Sequence, residues 1–534
     1  MTTITPFAAG SYLTNRTASQ LVTLKSQLND LANQVSSGQV AQTYAGLGSG
    51  RSTALGAQAT LSALTGYAAG ITAAQTRTDL AVTSLTQVAD LGTSTSETLN
   101  NGLQSTPVGS AAAQSVALGN LQTALDALNQ SAAGNYLFGG GNSTTQPVLD
   151  MDTILNGTKN SDGTVKQAGL KDLIAQQVKA DLGTAGNGRL TQTYPAPPPG
   201  STVPSGTRIS LTDDTSARAT PPFGYALAGV STAPASGNLS ATYTAGTAGT
   251  SAAIGINVAA QPAVGDSLTL ALNLPDGTST TLTLTAAASG TTPASSSTSF
   301  AIGSDPTETA KNLNAALQSA LTTSAGSTLT ANATARAATN FFSASSATVA
   351  AGTAPRLVSY DASGEPSYTA GTAANTVIWY RGEDGGGDPS STQSVQVSAT
   401  SSVQTGVRAN EPAIGNVLAG LATVALGLPS SSNPNATAIY EAVSSQAQSL
   451  LSSASTSPSV QDRVTDLSLA SARLSSAATT NKATQNAVQN TLDGIEQAPT
   501  EEVVAKLLDA QNRLQASYQV TATLSKLSLV NYIS

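Results

Sequence analysis

The two ends of this chain carry the same helical pattern, and the sequence between them has a different character. Near the N-terminus, apolar residues recur at alternating spacings of three and four, at Leu21, Leu24, Leu28, Leu31 and Val35. Near the C-terminus the alternation runs through Leu474, Ala478, Asn481, Gln485, Val488, Leu492 and Ile495, and it continues at Val503, Leu507, Ala510 and Leu514. This spacing places one residue per turn on a single helical face, as in the seam of a coiled coil. We therefore predict long terminal helices, with Leu507, Leu514 and Leu524 on one face of the last one.

Composition excludes several classes of function. The chain has no cysteine and no histidine, so it lacks the thiolate nucleophile, the disulfide, the commonest metal ligand and the usual general base near neutral pH. A net charge of −8 argues against a basic surface for nucleic acid. We expect no enzymatic activity, no cofactor and no nucleic-acid partner.

The seams have two explanations, a closed bundle within one chain and assembly with other chains. They are shallow, because Ala, Asn and Gln stand among the leucines, and an isolated helix pair would bury little apolar area. The paired segments are also separated by most of the chain. Packing against further copies explains both observations, so the sequence favours assembly.

Helices are predicted at residues 11–35, 52–103 and 111–132, and again at 412–426 and from 438 onward. The segment 44–50 is predicted as a loop that acts as a hinge between the first two helices. A short strand is expected at 136–138.

The middle of the chain, from about 140 to 404, is predicted to be mainly β with a short helix. Leucines alternate at 268–274 and again at 282–284 around the turn Pro275-Asp276-Gly277, which indicates a β-hairpin. Asp305, Pro306 and Glu308 are typical of a helix N-terminus. The last strands are expected at 377–381 and 394–398. The chain is therefore predicted as an α+β multidomain protein, in which a terminal long-helix bundle carries an inserted, mainly-β outer domain.

Two glycine-rich segments are candidates for binding sites. Residues 383–388 (EDGGGD) form an acidic cluster but lack the ligand spacing of a calcium loop, so we interpret them as a solvated turn and predict no metal site. Residues 46–51 (GLGSGR) precede a helix, but no strand precedes them and no P-loop lysine follows.

Several segments resemble the flagellin superfamily, and within it the hook-associated junction proteins (hook-associated protein 3) more than the filament flagellins. They are LNDLANQVSSG at 28–38, GNYLFG at 134–139, WYRG at 379–382, GVRANE at 406–411, and the ending at 515–532. The second is similar to a Gly-x-Tyr-(Ile/Leu)-Phe-x-Gly signature of the junction proteins. The segment after Gly38 lacks the acidic residues typical of filament flagellins. The resemblance covers about residues 1–140 and 405–534.

The resemblance implies a fold of three parts. Residues 1–45 with 490–534 would form an inner domain of terminal helices, 46–140 with 405–489 a helical rod, and 141–404 the inserted outer domain. The expected assembly interface consists of the seam residues Leu21, Leu24, Leu28, Leu31, Val35, Leu492, Ile495, Val503, Leu507, Leu514 and Leu524.

The resemblance also implies a function, that of a structural subunit of the bacterial flagellum at the hook–filament junction. The alternative is a filament-forming flagellin, and a third hypothesis is an enzyme or carbohydrate-binding protein. The implied partners are the hook-side junction protein, flagellin, further copies of this chain and an export chaperone. The first residues lack the charged segment and apolar core of a signal peptide, and no apolar run approaches the ~20 residues of a membrane span. We expect type III export to an extracellular location, without a cleaved signal peptide or membrane insertion.

Overall fold

The structure is a computed structural model that describes residues 6–105, 108–235, 237–290, 298–429, 432–452 and 454–533; of these, the side chains of 6–14, 524, 525 and 527–533 are not described. Helices take up 53% of the residues and strands 18%, so the chain combines α and β structure. A long helix lies near the N-terminus and further long helices lie near the C-terminus. The α+β class predicted from the sequence is confirmed at this level.

The described residues form twelve α-helices and sixteen β-strands. The helices are α1 (Pro6–Ser37), α2 (Arg51–Leu103), α3 (Ser110–Leu128), α4 (Met151–Asn156), α5 (Leu170–Leu182), α6 (Pro306–Ser324), α7 (Thr330–Phe342), α8 (Ser346–Ala350), α9 (Pro412–Gly427), α10 (Ala436–Leu451), α11 (Val460–Glu496) and α12 (Thr500–Ile533). The strands are β1 (Ser131–Ala132), β2 (Asn135–Tyr136), β3 (Thr158–Lys159), β4 (Val165–Gln167), β5 (Thr191–Thr193), β6 (Arg208–Thr212), β7 (Ala226–Ala233), β8 (Leu239–Thr244), β9 (Ala253–Val258), β10 (Ser267–Asn273), β11 (Ser279–Ala287), β12 (Ser299–Ala301), β13 (Arg356–Tyr360), β14 (Pro366–Ala370), β15 (Ser394–Ser398) and β16 (Ser401–Gln404).

The chain divides into two compact units. The first contains residues 1–73, 396–402 and 473–534, and the second contains residues 74–395 and 403–472. The division into three domains made from the sequence stays a prediction.

The predicted helices are present, although α3 ends at Leu128 and residues 131–132, predicted as its last turn, form strand β1. The first helix extends from Pro6 to Ser37 and ends at Gly38, whose φ of +69° is a left-handed conformation that glycine adopts readily. The predicted loop at 44–50 is instead a stretch of 3-10 helix that is interrupted at Gly48.

The C-terminal pattern is divided between two helices, although the sequence suggested one continuous seam. The first of them, α11, ends at Glu496, and α12 begins at Thr500. Pro499 explains the break, because proline cannot donate a helical hydrogen bond and disfavours helix at the residue before it. The amide of that preceding residue, Ala498, lies between the two helices and donates to the carbonyl of Gly38 at 2.9 Å.

The second unit contains two four-stranded sheets, besides two-stranded ones. Their strand orders are β12-β11-β10-β7 and β5-β6-β9-β8. The predicted hairpin is confirmed as β10 and β11, with Leu270 opposite Leu282 and Leu268 opposite Leu284. The leucines that alternate along β10 are buried, because one face of this sheet lies on a hydrophobic core.

The predicted helix start at Asp305 is also confirmed. Its carboxylate accepts a hydrogen bond from the amide of Glu308 at 2.9 Å, and Pro306 is the first residue of α6. Leu313, Leu317 and Leu321 of this helix are buried in the same core as the sheet leucines.

The middle segment contains more helix than the single short helix that was predicted. The sequence analysis missed α5 and α7, which pack against each other. The second of these, TANATARAATNFF, is amphipathic, but its buried face consists mostly of alanine and contains no leucine, so large apolar residues do not mark it in the sequence. Residues 377–381 do not form the strand that was predicted there. Within this range, Tyr380 makes only an isolated bridge to Val148.

Three hydrophobic cores lie within the second unit. The first core includes Leu85, Leu121, Phe138, Trp379 and Ile414. The second core lies between the sheets and α6 and is formed by residues from Leu190 to Leu329. The third core lies among α2, α3, α9 and α10 and contains Leu99, Tyr440 and Val443.

Candidate assembly interface

The terminal helices α1 and α12 lie against each other in the first unit. The end of α1 meets the start of α12, because Ala498 donates to the carbonyl of Gly38 and Val40 donates to the carbonyl of Glu496 at 2.7 Å. Gln39 and Gln497 form an antiparallel bridge between these two bonds. The two helices are therefore antiparallel. We call their line of contact the terminal seam.

Most of the predicted interface residues lie at the terminal seam, and they are only partly covered. The half-buried ones are Leu21, Leu24, Leu28, Leu31 and Val35 of α1 and Leu507 and Leu514 of α12. Val503 is 5% exposed and Ala510 is also buried. The side chain of Leu524 lies outside the described residues. Pairing within one chain thus leaves part of this apolar surface accessible.

Leu492 and Ile495 belong to α11, before the break in the C-terminal pattern. Leu492 is buried and Ile495 is half-buried. A Cβ on Gly50 would lie 2.9 Å from Ile495 Cγ2, so the absence of a side chain at Gly50 allows this close approach. Ile495 thus approaches the residue just before α2, next to a second contact that the C-terminal half of α11 makes with the N-terminal part of α2.

Asn481 stands at a seam position of α11 and fixes this second contact. Its Nδ2 donates to the carbonyl of Leu64 at 3.0 Å, while its buried Oδ1 has no described hydrogen-bond partner. A buried polar residue in a helical seam disfavours other registers, since a shift would leave more of its polar atoms unpaired. The sequence pattern included Asn481 among the seam positions but gave no sign of its partner.

A further apolar row on α12 was not predicted from the sequence. Val504, Leu508 and Tyr518 are exposed, and their spacing of four and ten residues places them on one face beside the terminal seam. We call this row the outer stripe. It is visible in the sequence as a second set of apolar residues, but only the burial of Val503 and Ala510 shows which set faces α1.

Three of the segments that carry the family resemblance, at 134–139, 379–382 and 406–411, meet in the second unit. Phe138 accepts a backbone hydrogen bond from Ala409 at 3.0 Å, and Gly139 accepts one from Glu383 at 2.9 Å. Trp379 is fully buried and packs edge-to-face on Phe342, with ring centres 5.3 Å apart. We call this group the motif cluster and define it as residues 134–141, 379–388 and 406–411.

Arg408 organises the glycine-rich part of the motif cluster. Its two terminal nitrogens donate to the carbonyls of Gly385 at 2.5 Å and Gly387 at 2.7 Å. Glu383 accepts a hydrogen bond from the amide of Gly141 at 2.6 Å, and Asp384 accepts from the amide and hydroxyl of Ser346. The acidic side chains at 383 and 384 therefore bond to protein donors. The described residues contain no group of three or more acidic side chains placed to bind a metal ion.

Glu411 is a buried acid at the edge of the motif cluster. Burial raises the pKa of its carboxyl, and the Arg408 amide and the Arg463 guanidinium partly oppose that rise. Its Oε2 lies 2.6 Å from Nε of Arg463, and its Oε1 accepts from the Arg408 amide at 3.1 Å. This paired, enclosed carboxylate joins the start of α9 to α11.

None of the described helices is long and apolar enough to cross a membrane. Comparisons with protein-family models, with curated proteins and with solved structures gave no match to this chain.

Proposed function

We propose that this protein is a structural subunit of the bacterial flagellum that joins hook to filament through packing of its terminal helices. The observation that carries the proposal is the antiparallel pairing of α1 and α12 along a seam that stays partly exposed. The outer stripe adds further uncovered apolar surface on α12. Exposed apolar rows of this kind mark sites of protein–protein contact.

The sequence resemblance supports the choice of the flagellum, and the motif cluster supports the choice of a junction subunit. Three of the segments that resemble junction proteins are far apart in sequence, yet they share one set of hydrogen bonds around Phe138, Gly139 and Arg408. A shared role in one local structure is what we expect of elements that belong to one family pattern. The proposed partners are the hook-side junction protein, flagellin and further copies of this chain, and an export chaperone before assembly.

Electron microscopy of the purified full chain under polymerising conditions tests this proposal. Short rings, or attachment to isolated hooks without further growth, are expected of a junction subunit. Long filaments would instead support the alternative, a filament-forming flagellin. Failure to bind hooks, filaments or itself would contradict both.

The variant Leu508→Asp tests whether the outer stripe takes part. Leu508 is 54% exposed, so an aspartate there stays hydrated in the monomer. The melting temperature of the monomeric protein should therefore not change. In an assembled state the charge would lose water, which generally costs several kcal/mol, and attachment should be lost. The control is Leu469→Asp, because Leu469 is 51% exposed but lies on α11, outside the terminal helices. If both variants attach as well as the unchanged protein, the outer stripe is not an interface.

A further inference from the structure

A cavity of about 450 Å³ opens in the second unit, away from the terminal helices and the motif cluster. Its lining comes from α5, α7, α10, strands β13 and β14, and the β10–β11 turn at Pro275 and Asp276. This volume is in the range of small-molecule sites, which is roughly 300–1,000 Å³. Nothing in a structural role at the flagellum requires such a cavity.

Tyr368 and Arg356 line the cavity, and Phe223 stacks on Tyr368 from outside the lining. The rings of Phe223 and Tyr368 are stacked with centres 4.6 Å apart, and the guanidinium carbon of Arg356 lies 5.1 Å from the centre of the Tyr368 ring. Stacking on an aromatic face holds a guanidinium in place while its N–H edge stays available to other groups.

The two arginines of the cavity differ in their partners. Arg336 forms an ion pair with the fully buried Asp181 at 3.1 Å and also donates to Tyr368 Oη and the carbonyl of Pro222. Arg356 is half-buried and forms no ion pair with any acidic side chain that the structure describes. A partly desolvated cation without an anionic partner indicates that a ligand could supply the negative charge.

The one acidic residue of the lining, Asp276, is not the anionic partner of Arg356. Asp276 is exposed at the rim, where one of its carboxylate oxygens accepts hydrogen bonds from the amide and hydroxyl of Thr278 at 2.8 and 2.6 Å. These bonds hold it within its own turn.

The rest of the lining is suited to a ligand that also carries hydroxyl groups. Thr339, Gln446 and Ser449 provide uncharged polar side chains, and Leu173 and Leu450 provide small apolar areas. Side-chain amides and hydroxyls both donate and accept hydrogen bonds, as do sugar hydroxyls. We propose that this cavity binds an acidic monosaccharide of the hexuronate class, with the carboxylate paired to Arg356.

Isothermal titration of the full chain with D-galacturonate, and with neutral D-galactose as the paired ligand, tests this site. We expect galacturonate to bind and galactose to bind at least about tenfold more weakly, because a charge-assisted pair is lost. The variant Arg356→Gln should weaken galacturonate binding by a similar factor. Lys166→Gln, which removes one positive charge from an exposed position outside the cavity, should leave binding unchanged.

A second variant covers the case in which Arg356→Gln does not fold. Ser449 is exposed and lines the cavity, so Ser449→Trp should occupy part of the cavity and obstruct the ligand. It should abolish binding at an unchanged melting temperature. The proposal is overturned if galacturonate does not bind, if galactose binds equally well, or if both cavity variants bind galacturonate as tightly as the unchanged protein. None of these results bears on attachment to the hook.

Discussion

Arg408 shows how much one side chain contributes to the motif cluster. It is 7% exposed, and both of its terminal nitrogens bond to backbone carbonyls more than twenty residues earlier in the chain. The sequence identified Arg408 as part of a family-like segment. It could not identify Gly385 and Gly387 as its partners, because any residue carries a carbonyl and no side-chain pattern marks those two.

The variant Arg408→Lys should loosen the glycine-rich turn while it keeps the positive charge. A lysine has one ammonium group and cannot span two carbonyls as the planar guanidinium does. We expect a loss of about 1–3 kcal/mol in the free energy of unfolding, measured by urea denaturation. Amide hydrogen exchange at 385–388 should also become faster. Arg381→Lys is the control, because Arg381 is exposed. Equal effects of the two variants would mean that the two hydrogen bonds of Arg408 contribute nothing.

The start of α6 offers a second prediction at this scale. Asp305 caps the helix through the amide of Glu308, and Asp305→Ala removes that bond. Loss of an N-cap generally costs about 1 kcal/mol, so the urea concentration at the midpoint of unfolding should fall. The dependence of the unfolding free energy on urea concentration should not change. Glu441→Ala, at an exposed position within α10, should change stability by less than about 0.5 kcal/mol. An unchanged midpoint for Asp305→Ala would show that water replaces the cap without loss.

At the scale of helices and strands, strongly periodic segments were the most predictable. The alternating leucines of β10 and β11 and the three-four spacing of the terminal helices both correspond to elements in the structure. These patterns are informative because a buried face repeats with the geometry of the element. Helix α7 was missed because its buried side chains are mostly alanine, asparagine and threonine, which also occur in loops. Its burial depends on packing against α5 and α9, which are distant in sequence.

The terminal seam gives a prediction that separates the two faces of α12. Val503 is 5% exposed and Val504 is 37% exposed, so Val503→Asp and Val504→Asp make the same change on adjacent residues. Only the first places a charge where it loses water, against α1. We expect faster amide hydrogen exchange at 20–37 in the monomeric Val503→Asp variant, and unchanged exchange in Val504→Asp. Faster exchange in both, or in neither, would contradict the described pairing of α1 with α12.

At the scale of the whole chain, the sequence identified an inserted middle segment but not which part of it has a core of its own. The first core combines Leu121 of α3 and Ile414 of α9 with Phe341, Phe342 and Trp379 from the middle segment. The fully buried residues of the second core all lie between Leu190 and Leu329, and the half-buried Leu182 packs against them. Hydrophobic pattern alone cannot assign a leucine to one core or another, because that depends on contacts across long sequence distances.

This arrangement predicts which deletion the protein tolerates. Replacing 189–329 with a short glycine-serine linker removes the second core as a unit, and its ends are close, since a Cβ on Gly188 would lie 3.1 Å from Leu329 Cδ2. Asp181 would lose the amide of Gly224 but keep Arg336 and Gln177. We expect cooperative urea unfolding in which the free energy of unfolding depends less steeply on urea concentration, because less surface is exposed on unfolding. Replacing 141–404 should instead abolish the transition of the second unit, because the first core would lose Phe341, Phe342 and Trp379. Cooperative unfolding of that second unit in the larger deletion would show that the helices on either side of the insertion form a complete core without it.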